Sequence, residues 1–448
     1  MSRPATLSEP TIRIAGWGGT SIEGVERRSE ELQTITGDVP LCRGLGRSYG
    51  DSALPPASRP LVAGTVLADR LLAFDESTGD LTGEAGYSLC DLWDTFLPRG
   101  WFTPVSPGTQ FVTLGGMIAA DVHGKNHHRD GSIGRHVRSI RLRVGSGQII
   151  TCSRETEPDL FRATIGGMGL TGHILEVTLR LVRVPSPWII GETRQVRDVD
   201  EFIGALKAAG AEWPFTMGWI DCLKRGDGMG RGVLFCGRWA EPAEAPQRFP
   251  ARLRRPAVPF NCPSWVVGRT VGRVFNALYY RVHPHRPRRH IIHPESFFYP
   301  LDAVHDWNRI YGRRGFTQYQ CVLPEAGGPV VVRELLDRMS QFGAASFLCV
   351  IKDCGAEGEG LLSFPLPGVS VALDLPIRNN TQEVVDALNG FVVAAGGRVY
   401  LAKDAYTRAH HFRAMEPRLK QFDVVRRHWD PAGRIRSAQS VRLFGDQP

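Results

Sequence analysis

The sequence predicts an α+β protein of two domains, on three observations. Its 448 residues exceed what one ordinary hydrophobic core organises. The first third alternates short strand-like runs with glycine-rich turns. A proline break, Pro185-Ser186-Pro187, then separates that third from a second region of strands and helices.

Taken in order, "PLVAGTV" (60–66) and "GDLTGEAGYS" (79–88) read as strands with turns. "LCDLWDTFLPRG" (89–100) reads as a helix, because Leu89, Leu92, Trp93 and Phe96 recur at i, i+3, i+4 and i+7 and Gly100 follows as a stop. "HVRSIRLRVGSGQIITC" (136–152) is a hairpin turning at Gly145-Ser146-Gly147. "DLFRATIGG" (159–167) is a short helix and "GHILEVTLRLVRV" (172–184) a strand. Beyond the break, "FTMGWIDCL" (215–223), "FTQYQCVL" (316–323) and "SFLCVIKDC" (346–354) read as strands, and "TQEVVDALNGFVVAAGG" (381–397) as an amphipathic helix with a glycine stop. The tail returns to strand and helices. Residues 240–298, rich in Pro and Arg and without clear periodicity, are expected to be a mobile loop or lid.

Composition narrows the class. With 42% hydrophobic and 22% charged residues the chain reads as globular. The N-terminal "MSRPATLSEPTIRIAGWGG" has no apolar core segment, so no signal peptide is expected, and no run approaches the roughly 20 apolar residues of a spanning helix. The formal charge of +8 concentrates in "ARLRRPAVPF" (251–260) and "RVHPHRPRRH" (281–290). Either a solvated loop or an anionic partner accounts for it; no nucleic-acid motif lies nearby, and no nucleic-acid partner is expected. Nine cysteines without a C-x-x-C pair exclude a zinc knuckle or redox dithiol and suggest reduced core thiols in a cytoplasmic protein.

Three glycine-rich segments carry the chemistry. In "CRGLGRSYGDS" (42–52) successive glycines let backbone N–H groups turn toward one anion, although a plain turn is the alternative. In "SPGTQFVTLGGMIAADVHGKNHH" (106–128) Gly115 and Gly116 thin a helix start where a ligand can approach. "IGGMGLTGHI" (165–174) is the third. His123 and His127 have i, i+4 spacing, but no H-E-x-x-H or completing ligand is present, so no metal is expected. Structural histidines remain an alternative for His127 and His128. A glycine track beneath a planar cofactor explains both the small and the polar residues.

Over nearly its whole length the chain resembles the vanillyl-alcohol-oxidase/PCMH superfamily of FAD enzymes, and most closely its polyprenyl-phosphate-sugar branch. The stretches that carry the resemblance are "RGLGRSYGD" (43–51), "PGTQFVTLGG" (107–116), "DVHGKNHH" (121–128), "GSIGRHVRS" (131–139), "LFRATIGGMGLTG" (160–172), "WNRIYGRRGFTQYQ" (307–320), "LSFPLPG" (362–368) and "YLAKD" (400–404). The resemblance implies a PCMH-type FAD-binding domain over 1–186, a substrate domain over 187–397 built on an antiparallel sheet, and a segment, 398–448, returning to the first. It implies that Arg43, Gly44, Leu45, Gly46, Arg47, Ser48, Tyr49, Gly50, Asp51 and Ser52 hold the FAD pyrophosphate. Pro107, Gly108, Thr109, Thr113, Gly115, Gly116, Ala120, His123, Gly124, Ile174, Tyr400 and Lys403 would line the rest of the cofactor. Arg47 stands where many relatives carry a flavin-tethering histidine, so FAD is expected to be non-covalent. Substrate would meet Lys125, Trp219, Tyr299, Gln318, Gln320, Lys352, Ser370 and Ala372. Ala372 replaces a cysteine of the actinobacterial enzymes, which puts sensitivity to thiol-reactive inhibitors in doubt.

The implied reaction is oxidation of the ribosyl 2-hydroxyl of a polyprenyl-phosphoryl-β-D-ribose to the 2-keto sugar, the first half of an epimerisation to the arabinose donor of arabinan or glycolipid synthesis. The catalytic candidates are Lys403, as a cation near the flavin, His123, as an imidazole titrating near neutral pH, and Tyr49. Without the resemblance, Lys403 reads as a surface lysine bridged to Asp404, and Gln318 and Gln320 as partners of a neighbouring strand. Implied partners are a lipid-linked pentose, a short-chain reductase, a quinone or other acceptor, and a membrane surface. The expected place is cytoplasmic, peripheral at the inner membrane. There Arg252, Arg254, Arg255, Arg286, Arg288 and Arg289, with Phe260, Trp265 and Val266, would dock the lid on lipid. An alditol or aldonolactone oxidase acting on a soluble sugar is the alternative, and a non-catalytic, nucleic-acid-binding protein a more remote one.

Overall fold

In the computed structural model, which describes residues 9–342 and 346–448, the described residues form sheets of four, five, two and eight strands. The four-stranded sheet runs Ile12–Ala15, Ser21–Arg28, Leu61–Gly64, Cys42–Arg43, antiparallel in its first pair and parallel in the others. The five-stranded sheet is antiparallel throughout: Leu71–Asp75, Asp80–Glu84, His173–Arg180, Val137–Arg143, Ile149–Ser153.

The helix expected after Ser88 spans Leu89–Phe96. The Ser88 hydroxyl accepts the Asp91 N–H, satisfying one of the amides a helix start leaves free. Its four periodic apolar residues are all buried, against the inner face of the five-stranded sheet. The hairpin forms as expected, Val137–Arg143 pairing with Ile149–Ser153. The strand expected over 172–184 is broken: His173–Arg180 stays in the large sheet, while Val182–Arg183 pairs separately with Trp101–Phe102.

The eight-stranded antiparallel sheet decides where the site lies. Its order is Arg288–Ile292, Ile189–Val196, Gly232–Trp239, Phe215–Ile220, Cys349–Cys354, Gly368–Pro376, Phe316–Pro324, Arg398–Val399. Side chains alternate along each strand. Tyr319, Cys321, Leu323, Ile351, Val371, Leu373 and Leu375 point one way, into an apolar core beneath helices Val199–Glu212, Gly328–Gln341 and Thr381–Ala394. Each such side chain, fully buried, contributes about 1.5–3 kcal/mol. Trp219, Gln318, Gln320, Val350, Lys352, Ser370 and Ala372 point the other way and line a cavity.

The stretch 240–298 differs from its expectation. It contains a 14-residue helix, Arg269–Val282, a strand, Arg288–Ile292, at the edge of the large sheet, and a short helix, Pro294–Phe298. Three of the six arginines assigned to lipid are instead paired within the protein. Arg252 bridges Asp94 and the buried Glu295, Arg255 takes the other oxygen of Glu295, and Arg289 pairs with Glu192. Asp94 and Glu192 lie in other parts of the chain and Glu295 some forty residues along the stretch, so no local spacing marks these pairs and the Pro/Arg-rich composition alone suggested a loose loop.

The end of the chain closes over its beginning. Arg442, in the last helix, Ala438–Phe444, donates from Nε and Nη2 to both oxygens of Asp51 at 2.8 and 2.7 Å and from Nη1 to Asp404 at 2.9 Å. One guanidinium thus clamps the 43–52 loop to the turn that carries Lys403. Removing one member of a buried ion cluster leaves the others uncompensated. Arg442→Ala is expected to lower unfolding free energy by about 3–5 kcal/mol, measured by denaturant titration. A loss within 1 kcal/mol would show that the clamp is ornamental.

Candidate active site

The cavity has a volume of about 970 Å³, at the upper end of the roughly 300–1,000 Å³ usual for small-molecule sites. It begins at the loop 43–52, runs past the turn 107–116 and the helix start at Thr113, and opens on the polar face of the eight-stranded sheet.

The loop is held from behind. Arg43 Nη1 and Nη2 donate to the carbonyls of Ala53 and Ala15, so this arginine braces the loop rather than offering its charge to a ligand. Gly46 has φ +66°, a left-handed conformation suited to glycine, and a Cβ there would strike the Arg43 guanidinium. Arg47 does the reverse. Its guanidinium lies 4.0 Å from the Trp17 ring centroid and 5.2 Å from that of Phe111, with Nε buried and unpartnered. The hydroxyls of Ser52 and Thr65 are likewise buried without a partner, and all three residues line the cavity. Buried polar groups left open at one wall fit a polyanionic cofactor such as FAD.

Most residues assigned to the cofactor from sequence line this space: Arg43 to Tyr49, Ser52, Pro107, Gly108, Thr109, Thr113, Gly115, Gly116, Ala120, His123, Ile174, Tyr400 and Lys403. Gly50, Asp51 and Gly124 do not. Gly50 sits against the Asp404 carbonyl, where any Cβ would collide. Asp51 belongs to the Arg442 clamp. Gly124 lets the chain pass close to the Ser106 backbone.

On the sheet side, Lys125, Trp219, Gln318, Gln320, Lys352, Ser370 and Ala372 line the cavity. Tyr299 does not. It is buried in the core shared by helix Leu89–Phe96 and the five-stranded sheet, with its hydroxyl 2.7 Å from Ser106 Oγ and its ring on Trp93. Gln318 donates to Asp374 Oδ1 at 2.6 Å across the strand pair, so the neighbouring-strand alternative holds for its amide nitrogen. Gln320 Nε2 lies 3.1 Å from His123 Nε2 and 3.3 Å from Ser370 Oγ.

Lys403 is not bridged to Asp404, whose carboxylate is taken by Arg442. Its Nζ stands 3.7 Å from the centroid of the Tyr49 ring, itself packed on Phe316. Burial draws the ammonium down to about 7, against a partial offset from Asp374. Lys125, which donates to the Phe298 carbonyl at 2.9 Å, is drawn down to about 7 by burial and by Lys352, and burial lowers Lys352 also.

His123 does not titrate near neutrality as expected. Burial, with Lys352, His127 and Lys403 nearby, holds it well below the usual histidine range. With the Gln320 amide N–H donating to Nε2, the neutral ring carries its proton on Nδ1, which is buried and unpartnered. His127 and His128 lie outside the cavity and bond backbone at Gly355 N–H and Trp213 C=O, the structural alternative.

Sequence reasoning missed Trp17, Thr65 and Asp374. Asp374 is fully buried, accepts from Gln318 and from the Tyr311 hydroxyl, and burial raises it to about 6. Two-residue alternation from Ser370 through Ala372 would have found it. Nothing local marks Trp17 or Thr65.

Among known proteins, residues 37–153 match the family model for an FAD binding domain. The chain is 34% identical to decaprenylphosphoryl-β-D-ribose oxidase of Mycolicibacterium smegmatis over 97% of both chains. It is 34% identical to an uncharacterised Streptomyces coelicolor protein over 79% of this chain and 98% of that one. A D-arabinono-1,4-lactone oxidase of Yarrowia lipolytica is 27% identical over 37% of this chain and 33% of its own.

The depressed Lys403 has a stability consequence whose sign is fixed. Below pH 7 the ammonium is charged in both folded and unfolded protein, and its burial opposes folding in full. Between about 7 and its unfolded value of 10.5 the folded state sheds the proton first, so stability rises with pH. Lys403→Met is therefore expected to raise the melting temperature of cofactor-free protein at pH 6, with a gain that fades toward pH 10. A pH-independent gain would mean that Lys403 is not desolvated.

Proposed function

The chain belongs to the decaprenylphosphoryl-β-D-ribose oxidase family, and from that premise we propose that it oxidises the ribosyl 2-hydroxyl of a polyprenyl-phosphoryl-β-D-ribose to the 2-keto sugar. It is an FAD-dependent oxidoreductase acting on a CH–OH group. One observation carries the reading in the geometry: a single cavity joins the glycine-rich loop to the polar sheet face, with Lys403 at the join.

The backbone of 43–49, with the open groups of Arg47 and Ser52, would hold the FAD pyrophosphate, and Tyr400 and Ala120 would border its ring system. Bound FAD supplies the hydride acceptor. The protein's own part is positioning and proton movement. Gln318, Gln320 and Ser370 would orient sugar hydroxyls. His123, neutral, would donate from Nδ1 to an oxygen in the cavity and would not serve as the base. Lys403 Nζ, deprotonated above about pH 7, would accept the 2-hydroxyl proton and then stand as the cation beside the charge left on the cofactor. The Tyr49 ring holds that nitrogen in place and disperses its charge.

The same reading divides the chain into a cofactor part, 1–186 with 398–448, and a substrate part, 187–397; the four- and five-stranded sheets fall in the former and seven strands of the large sheet in the latter, while Arg398–Val399 crosses to the large sheet's edge. A short-chain reductase completing the epimerisation, a quinone or other acceptor, and work at the inner membrane surface for arabinan or glycolipid synthesis belong to the proposal. No helix of the described residues is long and apolar enough to cross a membrane. The soluble-sugar alternative is weaker, since the lactone oxidase aligns with little more than a third of the chain.

With Arg47 at the tethering position, acid precipitation should release yellow flavin into the supernatant; colour retained in the pellet would refute non-covalent binding. Lys403→Ala is expected to keep FAD and slow flavin reduction by substrate about 100-fold, near 3 kcal/mol. The wild-type reduction rate should climb with pH through about 7 to a plateau, and the variant should lose that step. Near-normal rates in flavin-loaded variant would return Lys403 to a packing role.

A further inference from the structure

Helix Arg269–Val282 presents a face that the cofactor site does not explain. Val271, Val274, Phe275, Leu278 and Val282 recur at i, i+3, i+4, i+7 and i+11 and are all exposed, Val282 at 76% and Val274 and Leu278 at 56% each. Trp265, 68% exposed in the short turn of helix that precedes Arg269, extends the patch. The opposite side is anchored: Gly272 and Asn276 are buried, and Asn276 donates to Asp221 at 2.9 Å. Contiguous apolar surface of this kind marks an interaction site. Phe275 and Tyr279, at the border of the stripe, also line the cavity, so the exposed face is continuous with the cavity wall.

Charge selects the partner. The helix carries Arg269, Arg273 and Arg281 and no carboxylate. Of these, Arg281 flanks the apolar stripe, while Arg273 lies on the far side and Arg269 donates to the Ser340 carbonyl at 3.1 Å; with exposed Arg286 and Arg288 just beyond the helix, the C-terminal end of the stripe is cationic, and an anionic lipid surface complements it.

Across the gap runs the edge strand Arg288–Ile292. Its alternation sends Arg288, His290 and Ile292 to the cavity, while Arg289 turns outward to Glu192. Arg288 has no carboxylate in ion-pair reach among the described residues. On this side the cavity forms an arm lined by Met217, Phe235, Ile292 and Phe297, with Thr193, His283 and Ser296 as polar neighbours. An unpaired cation at the mouth of an apolar arm, beside an apolar surface, matches a phosphate attached to a hydrocarbon chain.

We propose that helix Arg269–Val282 seats on an anionic bilayer and that the lipid-linked substrate enters sideways, through the arm between that helix and strand Arg288–Ile292, with Arg288 contacting its phosphate. The inference rests on the substrate reading above and adds the route and the residues. It replaces docking by a loose basic loop with docking by one ordered helix.

Two variants test it in the full-length FAD-loaded protein. The triple variant Val274→Ser, Leu278→Ser, Val282→Ser leaves every cavity-lining residue intact. It should lose at least tenfold in co-sedimentation with phosphatidylglycerol-containing vesicles and in turnover of vesicle-borne prenyl-phosphoryl ribose. Turnover of a short-chain, detergent-soluble prenyl-phosphoryl ribose should stay within twofold of wild type. Arg288→Gln should raise KM for the short-chain substrate at least tenfold, with kcat within twofold and FAD content unchanged. Unchanged vesicle binding by the triple variant overturns the seat, as does a wild-type dimer, seen by light scattering, that the triple variant dissociates. Unchanged KM in Arg288→Gln overturns the phosphate contact. A wild type whose flavin no prenyl-phosphoryl sugar reduces overturns the substrate reading instead, while sedimentation still judges the helix.

Discussion

Removing a cation from water without giving it a counter-charge is strongly unfavourable, and the walls of this cavity do so repeatedly. Arg47, Lys125, Lys352 and Lys403 line it with no carboxylate in ion-pair reach among the described residues. The fold softens the cost with substitutes: the Trp17 and Phe111 rings for Arg47, the Tyr49 ring for Lys403, the Phe298 carbonyl for Lys125. None of these neutralises charge. A ligand set carrying phosphates does, which makes ligand binding and the electrostatic relief of the protein one event. The low ammonium values of Lys403 and Lys125, and the neutral His123 among them, follow from the same enclosure.

The cations can be held there because the large sheet has one dry face and one polar face. Alternation puts Cys321, Val371 and Leu373 under three helices and Gln320, Lys352 and Ser370 into the cavity. A one-residue slip in any of these strands would exchange the two sets. The apolar packing therefore fixes the register, and the register fixes which polar groups meet the substrate. At Ala372 the polar face carries a methyl group where relatives are expected to carry a thiol, so the wall remains intact but offers no nucleophile there.

Local physics was legible in the sequence. The helix at Leu89–Phe96 carries its period and its cap, the hairpin its glycine turn, and the loop 43–52 its glycines. The broad α+β class and most of the cavity lining followed from these and from family resemblance. What failed depended on partners distant in sequence. Tyr299 is core because Trp93 and Ser106 reach it, and Asp51 is structural because Arg442 does, 391 residues away. The helix Arg269–Val282 was hidden for a different reason: its apolar stripe was present, but flanking prolines and arginines masked a period that points at no core. His123 lines the cavity, but its titration was misjudged, because desolvation is a property of the enclosure and not of the residue.

The Arg442 clamp also imposes an order on the making of the molecule. The glycine loop leaves the ribosome well before the turn bearing Lys403 and the helix that locks both, Arg442 following Asp51 by 391 residues. Until then one wall of the cavity is missing and its cations face water, where they are stable. The loop is thus held closed only once Arg442 has been made, and a polypeptide cut short of it has the glycine loop without the means to hold it closed.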